Sequence, residues 1–131
     1  MTIRVQAEAF DYGAECAEFA ANSEGVGAIV TFCGIVRDND GTLLGMDIEH
    51  YPGMTERALT DIEAQARTRW SLADALIIHR HGALAPGDMI MMVATASRHR
   101  ADAFAAAEFL MDYLKSRAPF WKKEHTAEGV D

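Results

Sequence analysis

The chain has 131 residues, is 50% hydrophobic and 24% charged, and carries a formal net charge of −8 at neutral pH. That length and balance exclude a disordered chain and lead one to expect one domain over residues 1–131 with a modest core. The acidic total argues against a general nucleic-acid binder, which is normally basic. The longest apolar runs, 26–33 and 89–96, fall well short of the roughly 20 residues that span a bilayer. Met1-Thr2-Ile3-Arg4-Val5 lacks the charged-then-apolar design of a secretory signal. Cys16 and Cys33 make neither a disulfide framework nor a Cys-x-x-Cys knuckle. A reduced, cytoplasmic protein is the expectation.

In chain order, Ile3 and Val5 alternate with polar residues and predict a short first strand. Asp11 is a suitable N-cap for a helix carrying Ala14, Cys16, Ala17, Phe19 and Ala20, ended by Asn22-Ser23-Glu24-Gly25. The run 26–33 predicts a buried strand, and Leu44 to Tyr51 an alternating one, with Met46, Ile48 and His50 on one side. The polar stretch Arg37-Asp38-Asn39-Asp40-Gly41-Thr42 between them predicts a long hairpin. After the break at Tyr51-Pro52-Gly53, Thr55 is expected to cap a helix with Leu59, Ile62 and Ala66 on its apolar face. Strands are expected over Ala75 to His81 and Met89 to Ala96, joined as a second hairpin by the turn Ala85-Pro86-Gly87-Asp88. The last helix is predicted from Arg100 to Arg117, with a core stripe of Phe104, Ala107, Met111 and Leu114 and a stop at Pro119. The order β-α-β-β-α-β-β-α, with two hairpins and three helices, predicts an α+β fold with a mostly antiparallel sheet.

Charge is unevenly placed. Arg98, Arg100, Lys115, Arg117, Lys122 and Lys123 lie within one stretch, opposed there only by Asp102, Glu108 and Asp112. A confined cationic segment in an acidic chain suits a local anion site, although a solvated helix face has the same charge pattern. Lys115 and Lys122 bracket Pro119, and the Phe120-Trp121 pair can bury part of the lysine stems. Such burial activates a lysine as base or nucleophile; a lysine that merely complements a helix C-terminus is the plainer alternative. His99-Arg100 at a helix start can hold a phosphate. Gly34 permits a close backbone approach beside Arg37. His79 and His81 share a strand face, but with no third ligand near them a structural role is expected over a metal. Cys33, with His50 or His99 as base, is a candidate nucleophile, but its apolar strand favours an inert thiol. No P-loop, dinucleotide fingerprint or Gly-x-Ser-x-Gly elbow occurs.

Several of these segments together resemble one family. Thr31-Phe32-Cys33-Gly34-Ile35-Val36-Arg37 is similar to the Phe-x-Gly-x-Val-Arg stretch of the molybdopterin synthase catalytic (large) subunits. Glu49-His50-Tyr51-Pro52-Gly53-Met54, His79-Arg80-His81-Gly82 and His99-Arg100-Ala101-Asp102-Ala103-Phe104 also resemble that family. The fullest match is Asp112-Tyr113-Leu114-Lys115-Ser116-Arg117-Ala118-Pro119-Phe120-Trp121-Lys122-Lys123-Glu124. The resemblance covers about residues 26–125, in order.

It implies an α+β enzyme that inserts two sulfurs into cyclic pyranopterin monophosphate, forming the molybdopterin dithiolene. The sulfur arrives as a thiocarboxylate on the C-terminal Gly-Gly of a small ubiquitin-like subunit. The large subunit is implied to be a homodimer bearing two small subunits, a heterotetramer, with no metal and no cofactor of its own. Lys115 and Lys122 match the catalytic positions. Substrate contacts are implied at Ile35, Val36, Arg37, His99, Arg100, Lys115, Lys122, Lys123 and Glu124. A narrow pocket for the partner's tail is expected at Phe32, Gly34, Pro119, Phe120 and Trp121. The family usually continues past Glu128-Gly129 with an arginine that completes the neighbouring subunit's site; the sequence given reaches Asp131 without one.

Two other classes stay open on the residues alone: a non-catalytic phosphate- or nucleotide-binding module, and a sulfurtransferase using Cys33. A geometric expectation also follows. His99 and Lys115 are sixteen positions apart, which on a continuous helix is roughly 24 Å. A pterin phosphate is shorter than that, so the site is expected to be shared by two chains related by a two-fold axis.

Overall fold

The apolar runs of the second half become the two central strands of a sheet covered on both faces. The structure, a computed structural model, describes residues 1–38, 41 and 43–126 and the backbone of 129–130. Its elements are β1 (Thr2–Gln6), α1 (Tyr12–Ala21), β2 (Ala28–Ile35), β3 (Leu43–His50), α2 (Met54–Trp70), β4 (Asp74–Arg80), β5 (Gly82–Leu84), β6 (Met89–Ser97), α3 (Arg100–Ser116), β7 (Phe120–Thr126) and β8 (Gly129–Val130). The first sheet has the order β1-β4-β6-β2, with β1 parallel to β4 and the other pairs antiparallel. Strand side chains alternate between faces. Ala75, Ile77, Met91 and Val93 therefore join Leu59, Ile62 and Ala66 of α2 and Ala106, Leu110 and Leu114 of α3 in the main core. Leu76, Ile78, Met92, Ala94 and Ala96 meet Phe19 of α1 on the other face. Burial on both sides is why β4 and β6 read as continuous apolar runs rather than alternations.

The second sheet, β5-β3-β7-β8, is antiparallel. It has its own small core of Val36, Met46, Ile48 and Leu84. The α+β class with mainly antiparallel pairing and three helices is as expected. So are the Asp11 cap, whose carboxylate accepts from the Ala14 N–H at 3.0 Å, and the Ala85–Asp88 turn, closed by Asp88 N–H to Ala85 O at 3.0 Å with Gly87 at φ +91°. β4 and β6 pair as the second expected hairpin, with β5 inserted between them.

The first expected hairpin does not form. β2 pairs with β6, and β3 pairs with β5 and β7. Alternation identifies a strand's apolar side and not its neighbour. β3 buries Met46 and Ile48 in the small core of the second sheet, whereas β2, expected as a buried strand, is an edge strand with no fully buried residue, so the chain between them crosses from one sheet to the other. Asn39, Asp40 and Thr42 of the expected loop lie outside the described residues; Asp38 Oδ1 accepts from Gly41 N–H at 2.9 Å and Leu43 N–H at 3.2 Å. β5, β7 and β8 were not foreseen. Gly53, and not Thr55, is the N-cap of α2; Glu56 accepts from its N–H at 3.0 Å. Thr55 is fully buried, its hydroxyl donating to Tyr51 O at 2.9 Å and accepting from Tyr51 N–H at 3.1 Å. The core stripe of α3 is Ala103, Ala106, Ala107, Leu110 and Leu114, while Phe104 is 62% exposed. The small residues face inward because α3 lies close against both α2 and the sheet.

Candidate functional site

The cationic residues are placed by the end of α3 and by β7. Arg117 and Ala118 both donate their N–H to Tyr113 O at 2.9 Å, closing the helix just before Pro119, which has no N–H to continue it. Lys115 sits exposed on the last turn. Beyond the corner, β7 runs against β3 with Phe120 opposite His50, Trp121 opposite Glu49, Lys122 opposite Ile48 and Lys123 opposite Asp47. Phe120, Lys122 and Glu124 therefore point to one face, and Trp121, Lys123 and His125 to the other. Phe120 and Trp121, expected in one tail pocket, lie on opposite faces of β7.

The Trp121 face is tied down by carboxylates. Glu49 accepts from the Trp121 indole N–H at 2.7 Å and pairs with Lys123 at 3.7 Å. Tyr51 lies 4.9 Å from the Trp121 ring, and His125 meets Asp47 at 2.6 Å. The Lys122 face carries an imidazole cluster. His79 of β4 stacks on Phe120, with ring centres 3.7 Å apart and planes 13° from parallel. His50 lies 6.0 Å from Phe120 and 4.5 Å from His81. The His79 Nδ1 lies 2.8 Å from Arg80 O. A carbonyl can only accept, so Nδ1 carries the proton and Nε2 bears the lone pair when the ring is neutral. Burial, reinforced by the nearby Lys122, His50 and His81 charges and only partly offset by the Arg80 bond, pulls His79 down to about 4. Burial and the neighbouring His81 lower His50 as well. Lys122 is thus presented beside His79, whose imidazole stays uncharged at neutral pH. The sequence offered His50 only as a base for Cys33, His79 and His81 only as structural residues, and nothing for Glu49, although all four fall in the segments that carry the family resemblance.

Arg37 follows β2 on the same end of the molecule. Val36 fixes it there, donating to Asp88 O and accepting from Gly87 N–H, each at 2.9 Å. Val36 itself, named among the implied substrate contacts, is 2% exposed and sends its side chain into the small core. Ile35 is 54% exposed. Met91 pairs with Gly34 on one side and His79 on the other. Gly34, Met91 and His79 thus form a row that ends at Phe120, and the Phe32 ring edge lies 3.7 Å from where a Gly34 Cβ would be. Gly34, Phe32, Arg37, Lys115, Phe120 and Lys122 are gathered toward one end.

His99 and Arg100 are not. The ladder pairs Ala28 with Ser97 and Ile35 with Met89. His99 and Arg100, just past Ser97, therefore sit at the opposite end of an eight-residue strand, roughly 25 Å from Arg37. The unbroken α3 separates them from Lys115 by the helix length anticipated above. Cys33 pairs with Met92, whose side chain faces α1, so its thiol lies across the sheet from α3. Burial and Cys16 push that thiol's pKa up, opposite to what a thiolate nucleophile needs. Among the described residues, no three His, Cys, Asp or Glu are arranged to hold a metal ion.

The α+β fold presents two lysines and an arginine toward one end, with no activated thiol there, a cationic surface of the kind that can receive an anion. A family model described as MoaE protein matches residues 5–117. A molybdopterin synthase catalytic subunit from Cereibacter sphaeroides is 67% identical over 131 residues, spanning 100% of this chain and 90% of that one. A solved MoaE protein from Burkholderia ambifaria is 52% identical with a TM-score of 0.86, covering 100% of this chain and 88% of that one. A crystal structure of molybdopterin synthase from Staphylococcus aureus is 31% identical with a TM-score of 0.87, covering 98% and 93%. The chain belongs to the MoaE family of molybdopterin synthase catalytic subunits.

Proposed function

We propose that this chain catalyses the sulfur-transfer step of molybdopterin formation, at a site shared between two copies. Two sulfurs pass, one from each of two thiocarboxylated C-terminal glycines of small ubiquitin-like partners that are left as carboxylates, to cyclic pyranopterin monophosphate, generating the dithiolene. Both the cyclic phosphate and the thiocarboxylate are anions. Arg37, Lys115 and Lys122 supply fixed positive charge where they meet, and a lysine amine handles the proton movements. The partner delivers the sulfur, so no nucleophilic cysteine is required, in keeping with the raised Cys33 thiol. The tail lies along the end marked by Phe32, Gly34, Pro119 and Phe120, with Trp121 at its outer margin. Ile35, Lys123 and Glu124 border the substrate. The assembly is a homodimer with one small subunit on each copy, and the setting is cytoplasmic.

The observation that supports sharing most is the separation of His99 and Arg100 from Lys115 and Lys122. A two-fold axis brings the start of one α3 to the end of the other. The test mixes two inactive variants, Arg100→Ala and Lys115→Ala, under conditions of verified subunit exchange. Activity returns, because mixed dimers hold one intact composite site; exchange without recovery sinks the shared site. In the same assay Cys33→Ala keeps most of its activity and Lys115→Ala loses it. A folded Cys33→Ala protein that cannot transfer sulfur makes the thiol the carrier instead.

A further inference from the structure

We propose that His79 is a positioning residue for Lys122: its buried ring, stacked on Phe120, sets where β7 leaves the corner and hence where the Lys122 ammonium is presented. The proposal rests on Lys122 being a site residue, as read above. His79 belongs to the first sheet and Phe120 to the second, so their stack joins the two sheets at the first residue of β7. Lys122 is two residues further along the same face, about 7 Å away. A tilt or slide of the Phe120 ring therefore moves the lysine with it.

Each feature of His79 suits this role. The ring is 4% exposed, so it is held on all sides. The Nδ1–H bond to Arg80 O satisfies the buried ring's donor, and the stack on Phe120 is the contact that reaches β7. The groups facing it are Lys122 from β7, His50 from β3 and His81 beyond β4, with Glu56 of α2 reaching His50. Its ladder neighbours, Val5 of β1 and Met91 of β6, are apolar. A charged ring in that setting would repel the Lys122 ammonium and lose its stacking environment. A neutral ring does neither.

The alternative is a core histidine that only fills space. Two substitutions separate the roles. His79→Asn keeps a donor for Arg80 O and removes the stack; His79→Phe keeps the stack and removes the donor. Sulfur-transfer turnover is measured on protein whose folding is verified by circular dichroism and urea unfolding. The expected result is a kcat loss on the order of tenfold or more in His79→Asn, with KM within about threefold, and a kcat within about threefold of wild type in His79→Phe. Phe120→Leu, which removes the stack from the other side, behaves like His79→Asn and serves if that variant does not fold. A second readout needs no turnover: the acylation rate of the Lys122 amine by a small activated ester, resolved by peptide mass spectrometry against Lys115. It changes in His79→Asn and Phe120→Leu and not in His79→Phe. Folded stack-deleted variants with wild-type kcat and labelling overturn the proposal, as does His79→Phe impaired equally with His79→Asn. A wild-type protein that transfers no sulfur refutes the functional reading instead, and the labelling comparison then decides on His79.

Discussion

At the residue scale, two buried titratable groups give opposite pH signatures. His79 has a folded pKa of about 4 against an ordinary 6.5. A depressed folded pKa contributes stability that is present above the unfolded value and is lost as pH falls through the folded one. Across that window the loss is roughly 3 kcal/mol. Urea unfolding at pH 7 and pH 5 is expected to show a marked fall in wild type and a shallower one in His79→Phe; parallel falls would remove His79 as the cause. Glu63 behaves in reverse. It is 2% exposed on α2, its Oε1 lies 3.4 Å from Arg67, and its Oε2 has no hydrogen-bond partner among the described residues. Burial raises its pKa more than Arg67 and the N-terminal amine lower it. A raised folded pKa gives stability present below the unfolded value and lost as pH rises through the folded one. Glu63→Gln, which stays neutral, is expected to be more stable than wild type at pH 7 by about 1 kcal/mol, with the gap closing toward pH 4. A glutamine variant less stable at pH 7 would contradict this.

At the element scale, what was legible in the sequence was local chemistry. Asp11 announced α1 through a side-chain acceptor three residues from its donor, and Pro86-Gly87 announced a turn that needs a left-handed second corner. What was not legible depended on distant partners. Nothing in Leu43–His50 says that it pairs with Phe120–Thr126, a segment whose lysines and histidine give no strand alternation of apolar residues. Phe104 matched a helical stripe yet points outward, because α3 turns its alanines to the sheet. The candidate site divides in the same way. Its cations were found as motif matches, whereas the imidazole cluster beside Lys122 exists only once β4, β3 and β7 converge. Trp121 tests the element that carries it. Held by Glu49 on the face of β7 away from Lys122, it is expected to matter for the partner's tail, so Trp121→Ala weakens partner binding while substitutions on the exposed face of α2 do not. Titration calorimetry with the small subunit measures both; unchanged affinity in a folded Trp121→Ala protein removes Trp121 from the docking surface.

At the scale of the whole molecule, the first sheet ends on an open edge. β2 pairs with β6 on one side and, among the described residues, with no strand on the other. That edge exposes Ile29, Phe32 and Ile35, at 37%, 37% and 54%, and α3 adds Phe104 at 62%. Unpaired strand edges with apolar side chains are usually covered in the working protein. The proposed homodimer identifies the cover as a second copy, because α3 is also the helix whose two ends must meet across the two-fold axis. Assembly and activity should then fail together. Phe104→Glu puts a charge on an exposed side chain outside the core, so the chain is expected to keep its fold and unfolding midpoint. Light scattering should report a shift toward monomer, and sulfur transfer should fall in step with the dimer fraction, although Arg37, Lys115 and Lys122 are untouched. Raising the protein concentration should restore both together. A monomeric Phe104→Glu protein with full turnover would place a complete site within one chain. A dimeric one with full turnover would move the interface away from Phe104.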